Sequence, residues 1–288
     1  MNEIKYKIAV ANQGGAMEAE TISKNGQSSK SQTSRVNILK YLAFVALAAS
    51  IVFSSCKNDN DTDEHSIQLL ESISSNGVLN TNYEYDNQHR ITKITSFHSD
   101  GITVTGTRTF TYSGDNISMS YVSVQYPQDN FTETYTKSDN KIIISISYWG
   151  NDVTSTIDID TDGYPVKYVY DDDYETYTCT YNYQNDNRTK ETIVGGVKSE
   201  VPSTRITSFV YDDKKSPFYF CKTPKWYLMR FLSSYYYNEI GIINNVKSIQ
   251  DNKTTLFVLD YYDDSFLKQL KTNGIEEEIK TFSYKIVQ

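Results

Sequence analysis

The chain has 288 residues and a formal net charge of −8, from 28 Lys and Arg against 36 Asp and Glu. Such an acidic chain repels phosphate backbones, so composition argues against nucleic acid as a partner. Its 25 tyrosines favour a β-rich fold, and its three cysteines are too few for a disulfide framework.

The start of the chain predicts a secretory leader. Residues 1–34 are polar and show no core-forming pattern. Arg35 and Lys40 then introduce an uncharged apolar run of thirteen residues, Tyr41–Phe53. As a helix this run would reach about 20 Å, which is short of a hydrocarbon core of about 30 Å. We therefore expect a cleavable signal rather than a membrane span.

The signal ends in a cysteine. Phe53, Ser54 and Ser55 precede Cys56, and the acidic stretch KNDNDTDE follows it. This tetrad resembles the lipobox of bacterial lipoproteins, although Phe stands where Leu is usual. The resemblance implies cleavage before Cys56 and a diacylglyceryl group on its sulfur. The acidic stretch resembles the export signal of Bacteroidetes surface lipoproteins, which implies display outside the outer membrane; it also suits a simple solvated tether.

These features divide the chain into three parts. We expect residues 1–55 to be removed, residues 56–66 to form an acidic tether, and residues 67–288 to form one β-repeat domain. Loss of the leader, whose charge is +3, leaves 233 residues with a net charge of −11. Charge gives such a body no attraction to anionic lipid, so membrane attachment is assigned to the lipid on Cys56.

Alternating side chains predict that the body is built from antiparallel strands. The alternation is clear in Thr107–Tyr112, Thr132–Lys137, Ser155–Asp160 and Thr176–Tyr183. A period of two places aromatic residues on one face and Thr or charged residues on the other. Because the second face is polar rather than an apolar band, we do not expect the body itself to span a membrane.

Turn signals recur between these segments. They begin at Tyr85, Tyr112, Lys137, Asp160, Tyr183, Tyr211 and Tyr262, at intervals of 23–28 residues and a final interval of 51. A unit of that length holds two strands and two turns. We therefore predict an all-β fold: a long antiparallel meander of about fourteen strands in hairpin repeats, curled or closed into a barrel.

The repeat also carries a family resemblance. The clearest unit, YEYDNQHRITKI at Tyr83–Ile94, resembles the YD-type repeat, and most of the predicted body resembles it in degenerate form. The whole is similar to Bacteroidetes outer-membrane lipoproteins of an uncharacterised domain family described as having a porin-like β fold. This resemblance implies an architecture and a location, and it implies no activity.

The long last interval contains an aromatic insert, residues 216–245. Pro224 suits the first turn of a short helix, which we predict over Lys225–Tyr236. The insert would plug or cap the sheet, either as hydrophobic cover for a barrel end or as a ligand-binding lip. Because aromatic rings stack on sugars and small apolar ligands, the candidate ligand-binding residues are Trp226, Tyr227, Tyr235 and Tyr236.

Motifs for metal binding and catalysis are weak. Asp158–Gly163 matches the start of a calcium-binding EF-hand loop, but Val169 stands where that loop needs a bidentate Glu, so a hairpin turn is the better interpretation. Cys179 and Cys221 either form a disulfide or remain small buried residues. We predict no catalytic residue, metal ligand or cofactor.

The sequence therefore predicts a non-enzymatic protein of the outer membrane, lipid-anchored at Cys56 and facing the cell exterior. We expect it to bind a glycan or an envelope protein. The alternatives are a polysaccharide hydrolase and a purely structural envelope component. A hydrolase would need two carboxylates that meet in space, and their positions cannot be read from sequence.

Overall fold

The barrel is closed. The computed structural model describes residues 66–148, 151–232, 240–273 and 278–287. Sixteen strands in these ranges form one antiparallel meander in which each strand pairs with its neighbours in the chain and the first pairs with the last. The predicted all-β meander is confirmed, with sixteen strands instead of about fourteen.

The strands are β1 (Ile67–Ser75), β2 (Val78–Tyr85), β3 (Ile91–Phe97), β4 (Val104–Ser113), β5 (Asn116–Ser123), β6 (Phe131–Ser138), β7 (Lys141–Tyr148), β8 (Asn151–Ile159), β9 (Pro165–Asp171), β10 (Glu175–Gln184), β11 (Asn187–Val197), β12 (Ser203–Lys215), β13 (Asn244–Gln250), β14 (Thr254–Tyr261), β15 (Leu267–Asn273) and β16 (Ile279–Val287). A 3-10 helix, Pro127–Asp129, lies between β5 and β6, and one α-helix, α1 (Lys225–Leu232), lies between β12 and β13.

Alternation along each strand separates the inside of the barrel from the outside. In β6, Glu133 and Tyr135 are buried, whereas Thr132, Thr134 and Thr136 are exposed. Successive side chains of a strand point to opposite faces, so the buried set lines the lumen and the threonines face solvent. The period of two in the sequence therefore corresponds to the wall of a barrel.

Aspartate side chains close several of the turns. Asp86 Oδ1 accepts hydrogen bonds from the N–H groups of Gln88 and Arg90, both at 2.9 Å. Asp160 Oδ1 accepts from the N–H groups of Asp162 and Tyr164 at 3.0 and 2.8 Å. A turn leaves some backbone N–H groups without a backbone acceptor. A carboxylate two to four residues earlier in the chain accepts their hydrogen bonds instead.

The lumen is filled by side chains from the wall and from the segment that contains α1. Tyr83, Tyr135 and Ile144 of the wall are at most 1% exposed, and Phe218 of the segment is 0% exposed. The ring of Phe218 meets that of Tyr83 edge-on, with centroids 5.7 Å apart. Strand wall and insert therefore share one hydrophobic core.

The two cysteines of the barrel are free thiols, which settles the alternative left open by the sequence. Cys179 lies on β10, and Cys221 lies in the insert. Burial raises the pKa of the Cys179 thiol to about 12 and that of Cys221 to about 11. Both are therefore poor nucleophiles near neutral pH. In the described ranges, no helix has the length and apolar character needed to cross a membrane.

Candidate functional site

The two ends of the barrel are different. In an up-and-down meander the connections alternate between ends. The connections after β2, β4, β6, β8, β10, β12 and β14 share one end, where β1 also begins at Ile67. We call it the plugged end, and we call the opposite end, which carries the connections after the odd-numbered strands, the loop end. All seven turn signals read from the sequence lie at the plugged end.

The insert enters the lumen from the plugged end and is tied to the turns there. The N–H of Lys222 donates to the carbonyl of His89 at 2.9 Å, and the N–H of Ile91 donates to Thr223 Oγ1 at 2.8 Å. Lys225 Nζ lies 4.0 Å from the ring centroid of Tyr164, which follows β8. These contacts fix the start of α1 against two separate turns.

Further inside, α1 packs against β4 and β6. The Trp226 ring lies 5.4 Å from that of Tyr135, and the Tyr227 ring lies 5.4 Å from that of Phe110. Arg230 Nη2 lies 3.2 Å from Glu133 Oε1, and its Nη1 donates to Tyr135 Oη at 2.9 Å. The Tyr135 hydroxyl also donates to the Glu133 carboxylate. One ion pair therefore joins helix to wall inside the core.

Only two of the four predicted ligand-binding aromatics, Trp226 and Tyr227, are among the described residues. Trp226 and Tyr227 are each 3% exposed, so in this conformation their rings contact protein on all sides and offer no face to a ligand. Their ligand-binding role stays a prediction that would require α1 to move. The helix begins at Lys225 as predicted, whereas Tyr235, Tyr236 and Cys56 lie outside the described residues.

Large apolar side chains are exposed at the loop end. Ile102 is 82% exposed, Tyr174 is 79% exposed and Val201 is 91% exposed, each in a different connection. Val124 and Tyr126, in a fourth connection, are 59% and 49% exposed. Among the described residues of the plugged-end connections, the exposed large apolar side chains are better covered, at 39% for Tyr219 and 41% for Tyr262. Exposed apolar residues in connections are candidate contact residues.

Behind the connections, two aromatic pairs line the inner wall toward the loop end. In the first pair, the Tyr121 and Phe131 rings lie 5.2 Å apart, and the Arg108 guanidinium lies 4.9 Å from the Tyr121 centroid. The three residues are direct neighbours across β4, β5 and β6. Gly106 makes this possible, because a Cβ there would lie 2.7 Å from Tyr121 Oη.

The second pair lies on β9 and β10. The Tyr170 and Tyr177 rings stack at 4.9 Å and 18°. Gly195 of β11 pairs with Tyr177, and a Cβ at Gly195 would lie 2.6 Å from the Cβ of Tyr177. Its φ of +148° also favours glycine. In both pairs a glycine leaves room for an inward tyrosine.

Carboxylates flank the second pair. The Tyr170 hydroxyl donates to Asp172 Oδ2 at 2.7 Å, and Asp172 Oδ1 accepts from the N–H groups of Tyr174 and Glu175 at 2.8 Å. Burial raises the pKa of Glu175, and the nearby Asp172 carboxylate adds to this effect. Burial opposes ionisation of Asp172 as well, but hydrogen bonds from Glu175, Tyr170 and Tyr174 lower its pKa overall. The two carboxyl groups therefore differ in acidity.

The sequence did not identify the exposed residues of the loop end. Ile102, Tyr174 and Val201 stand in connections that share no motif of their own, and Asp100 and Asp172 beside the first two resemble the Asp residues of turns at the other end. The available signal was position: each lies about midway between two successive turn signals, where the alternate connections of a meander must fall. An apolar residue at such a point is a candidate contact residue.

The other acidic motifs form turns and strands. Asp158 lies on β8, while Asp160 closes the turn that follows. Among the described residues, no group of three or more His, Cys, Asp or Glu is placed to hold a metal ion. The hairpin interpretation of Asp158–Gly163 thus agrees with the observed turn.

Comparison with known proteins finds a likeness in structure. A search of the solved structures finds the crystal structure of a porin-like protein from Bacteroides uniformis, with 14% identity over 76% of this chain and 96% of that chain and a TM-score of 0.45. No protein-family model and no curated protein matches the chain.

Proposed function

We propose that this protein is a non-enzymatic binding module of the bacterial outer membrane, lipid-anchored at Cys56, which presents the loop end of its barrel to a protein partner at the cell exterior. The observation that carries the proposal is the contrast between the ends. The insert and the start of β1 share the plugged end, and among the described residues the most exposed apolar side chains of the connections lie at the other end.

The position of Cys56 in the chain supports this orientation. Ser66 stands ten positions after Cys56, and an extended chain spans at most about 3.5 Å per residue, so the tether would reach about 35 Å. Because that tether joins the barrel at the plugged end, a lipid on Cys56 would hold this end near the membrane and leave the loop end facing outward. The outer positions of β4–β8 are mostly Thr and Ser, which supports a barrel held outside the bilayer.

The chemistry of the exposed side chains favours a protein over a glycan. Ile102 and Val201 have no ring that could stack on a sugar, although Tyr126 and Tyr174 do. Aliphatic and tyrosine side chains together are typical of protein interfaces. Binding that depends on the tyrosines alone would instead indicate a glycan ligand.

The binding surface can be tested by capture from envelope extracts with the chain from Lys57 onward. We expect a triple variant, Ile102→Ser, Tyr174→Ser and Val201→Ser, to lose the captured partner. The matched control is Tyr219→Ser with Tyr262→Ser at the plugged end, which should retain it. Equal capture by wild type and triple variant would refute the loop end as the binding surface. Binding to a glycan array that the triple variant loses would indicate a glycan ligand instead of a protein partner.

Membrane attachment has a separate test. Replacing Cys56 with Ala should move the protein from the membrane fraction to the soluble fraction, because no other feature of the chain is assigned to anchoring. Surface display predicts that protease added to intact cells cuts the protein. Continued membrane association of the Ala variant would disprove lipid anchoring without affecting the binding surface.

The hydrolase alternative has one favourable observation. Asp172 and Glu175 lie at the loop end with pKa values shifted in opposite directions, which is how paired carboxylates divide acid and base roles. A hydrolase would release product from a polysaccharide panel, and Glu175→Gln would abolish that release. If the wild-type protein forms product and the Glu175→Gln variant does not, the protein is a hydrolase and the binding proposal is wrong.

A further inference from the structure

The lumen becomes less tightly packed toward the loop end. On β7 the inward side chain of Ile144 is buried, whereas that of Ile146, two residues nearer the loop end, is half-buried. On β12 the inward side chain of Phe209 is buried, whereas that of Arg205, four residues nearer the loop end, is exposed. A ring of sixteen strands encloses more space than its own side chains fill, so the lumen is open toward the loop end. We call this open part the vestibule; its inner wall carries Arg108, Tyr121, Phe131, Tyr170, Tyr177 and Arg205.

Two arginines that face the vestibule have no carboxylate partner. The described ranges contain five arginines, and Arg90, Arg188 and Arg230 lie 2.7, 2.8 and 3.2 Å from carboxylate oxygens. Arg108 and Arg205 form no ion pair with any described residue. In a chain with 36 Asp and Glu, the two guanidinium groups left for another anion are therefore both at inward positions near the loop end.

The charges of both arginines act inside the lumen. Burial raises the pKa of Tyr227 on α1, and the charge of Arg108 opposes the rise. Burial likewise raises the pKa of the Cys179 thiol, and the charge of Arg205 opposes it. Because Tyr227 and Cys179 belong to the inner core, both guanidinium groups lie on the inner side of the wall. Eight strands separate β4 from β12 in the ring, so the two arginines stand on opposite sides of the vestibule.

Aromatic rings lie near both arginines. The Arg108 guanidinium lies 4.9 Å from the centroid of Tyr121, which belongs to the first aromatic pair. On the opposite side, Ser203 stands two residues before Arg205 and shares a row across β11 with Tyr177 of the second pair. A planar cation near an apolar ring suits a ligand that has both an anionic group and a C–H face.

A sugar that carries a carboxylate has this combination. A guanidinium binds a carboxylate through two parallel hydrogen bonds, and aromatic rings stack on sugar rings. An extended peptide would need partners for its backbone N–H and C=O groups, and the closed barrel has no free strand edge to supply them. Sixteen strands about 4.8 Å apart form a ring about 24 Å across, so only an oligomer can reach both arginines.

We propose that the vestibule binds an acidic oligosaccharide, with sugar carboxylates on Arg108 and Arg205 and sugar rings against Tyr121 and Tyr177. These two positive charges face the lumen of a chain whose net charge is −8, so the ligand is held there rather than along the outer wall. The site is independent of the protein partner proposed for the loop-end connections and of the anchor at Cys56.

The test is equilibrium binding of fluorescently labelled oligogalacturonate, a polymer of carboxylated sugars, to the chain from Lys57 onward. We expect affinity that increases with oligomer length and decreases with added salt. The same oligomers with their carboxylates converted to methyl esters should bind at least about tenfold more weakly, because hydrogen bonds between charged groups are stronger than those between neutral groups.

Substitution separates the vestibule from the rest of the surface. Arg108→Gln with Arg205→Gln should lower the affinity at least about tenfold, since Gln keeps a hydrogen-bond donor and loses the charge. The matched control is Lys167→Gln with Lys190→Gln, which removes the same charge from outward positions of β9 and β11 and should bind as wild type does. Thermal melting establishes that each variant is folded.

The triple variant of the loop-end connections should keep oligosaccharide binding, so this proposal and the proposed protein partner can fail separately. The vestibule proposal would be overturned if the wild-type chain bound no oligogalacturonate of any length, or if the folded Gln variant of the two arginines bound it as tightly as the Lys control. Equal binding of the methyl esters would exclude a carboxylate site. Preferential binding of polyglutamate would assign the vestibule to an acidic peptide.

Discussion

The two ends of the barrel differ in what lies behind their turns and in what the turns expose. Asp side chains close turns at both ends, but at the plugged end the insert occupies the lumen behind them. At the loop end the connections after β3, β5 and β11 span five to seven residues and expose Ile102, Tyr126 and Val201. A meander needs no exposed apolar residue in a connection, so those at the loop end are not explained by folding.

Under the proposed function, the difference separates residues that stabilise the fold from residues that contact a partner. Aromatic side chains of the insert lie in the core, where each removes apolar surface from water. Aromatic and aliphatic side chains of the loop-end connections leave most of their surface in water, so they contribute little to folding. Substitutions at the plugged end should therefore change the free energy of unfolding, whereas substitutions at the loop end should change partner binding.

The largest expected effect comes from exchanging one aromatic side chain at each end for alanine. Trp226→Ala removes a ring that is 3% exposed, and we expect it to lower the free energy of unfolding by about 3–5 kcal/mol. Tyr174→Ala removes a ring that is 79% exposed and should change that energy by less than about 0.5 kcal/mol. Urea unfolding followed by circular dichroism measures both.

Partner capture should give the reverse order for the same two variants. The protein with Tyr174→Ala should lose captured partner, while Trp226→Ala should retain it under conditions where the barrel is folded. If Trp226→Ala removed binding from a folded and equally stable barrel, the insert would be a ligand site after all, and the division between the ends would be wrong.

A smaller effect is expected from the ion pair that holds α1. Removing one member of a buried pair leaves an uncompensated charge and costs about 3–5 kcal/mol. Glu133 is 7% and Arg230 is 28% exposed at the side chain, so Arg230→Ala should cost about 3 kcal/mol, at the lower end of that range. The double variant Glu133→Gln with Arg230→Met should recover much of the loss.

The matched control is an ion pair outside the barrel. Lys93 Nζ lies 2.9 Å from Glu84 Oε1, with side chains 41% and 53% exposed. Lys93→Ala should cost less than about 1 kcal/mol, since solvent screens such pairs. Equal losses for Arg230→Ala and Lys93→Ala would show that α1 is not held in a dry core.

The sequence predicted the local features and missed the long-range ones. The period of two identified strands, and Asp and Gly at fixed intervals identified the turns, because both signals lie within a few residues of the structure that they specify. The start of α1 at Lys225 followed from Pro224 for the same reason. Arg230 and Glu133, in contrast, are 97 residues apart, and nothing local to either residue indicates that they meet.

Which residues form the candidate site depends on the strand register of the closed barrel and on where the insert lies in it. Whether Tyr121 and Tyr177 line the lumen or face solvent depends on strand register, and a shift of one residue reverses it. The burial of Trp226 likewise depends on where the insert lies relative to the wall. An aromatic cluster in sequence indicates an apolar environment, but it does not distinguish a core from a binding surface.

The smallest predicted effect tests whether the loop end is ordered before it meets a partner. The Thr103 hydroxyl and the N–H groups of Ile102 and Thr103 donate to the Asp100 carboxylate. These hydrogen bonds lower the pKa of Asp100 from 3.8 to about 2. A lowered pKa in the folded state stabilises the fold above the unfolded-state pKa, and this contribution is lost as pH falls from about 4 to about 2. Carbon-detected NMR titration of the carboxyl group measures it directly.

Asp100→Asn is the matched variant, because its side-chain oxygen still accepts the two backbone hydrogen bonds while no charge is left to titrate. The wild-type melting temperature should therefore fall more steeply than that of the variant between about pH 4 and about pH 2. The result bears on recognition because Asp100 fixes the connection that exposes Ile102. An Asp100 that titrates at its ordinary value would mean that this connection is not held by its carboxylate. The loop end would then be a mobile rim that orders on binding, and its contrast with the plugged end would be one of rigidity as well as chemistry.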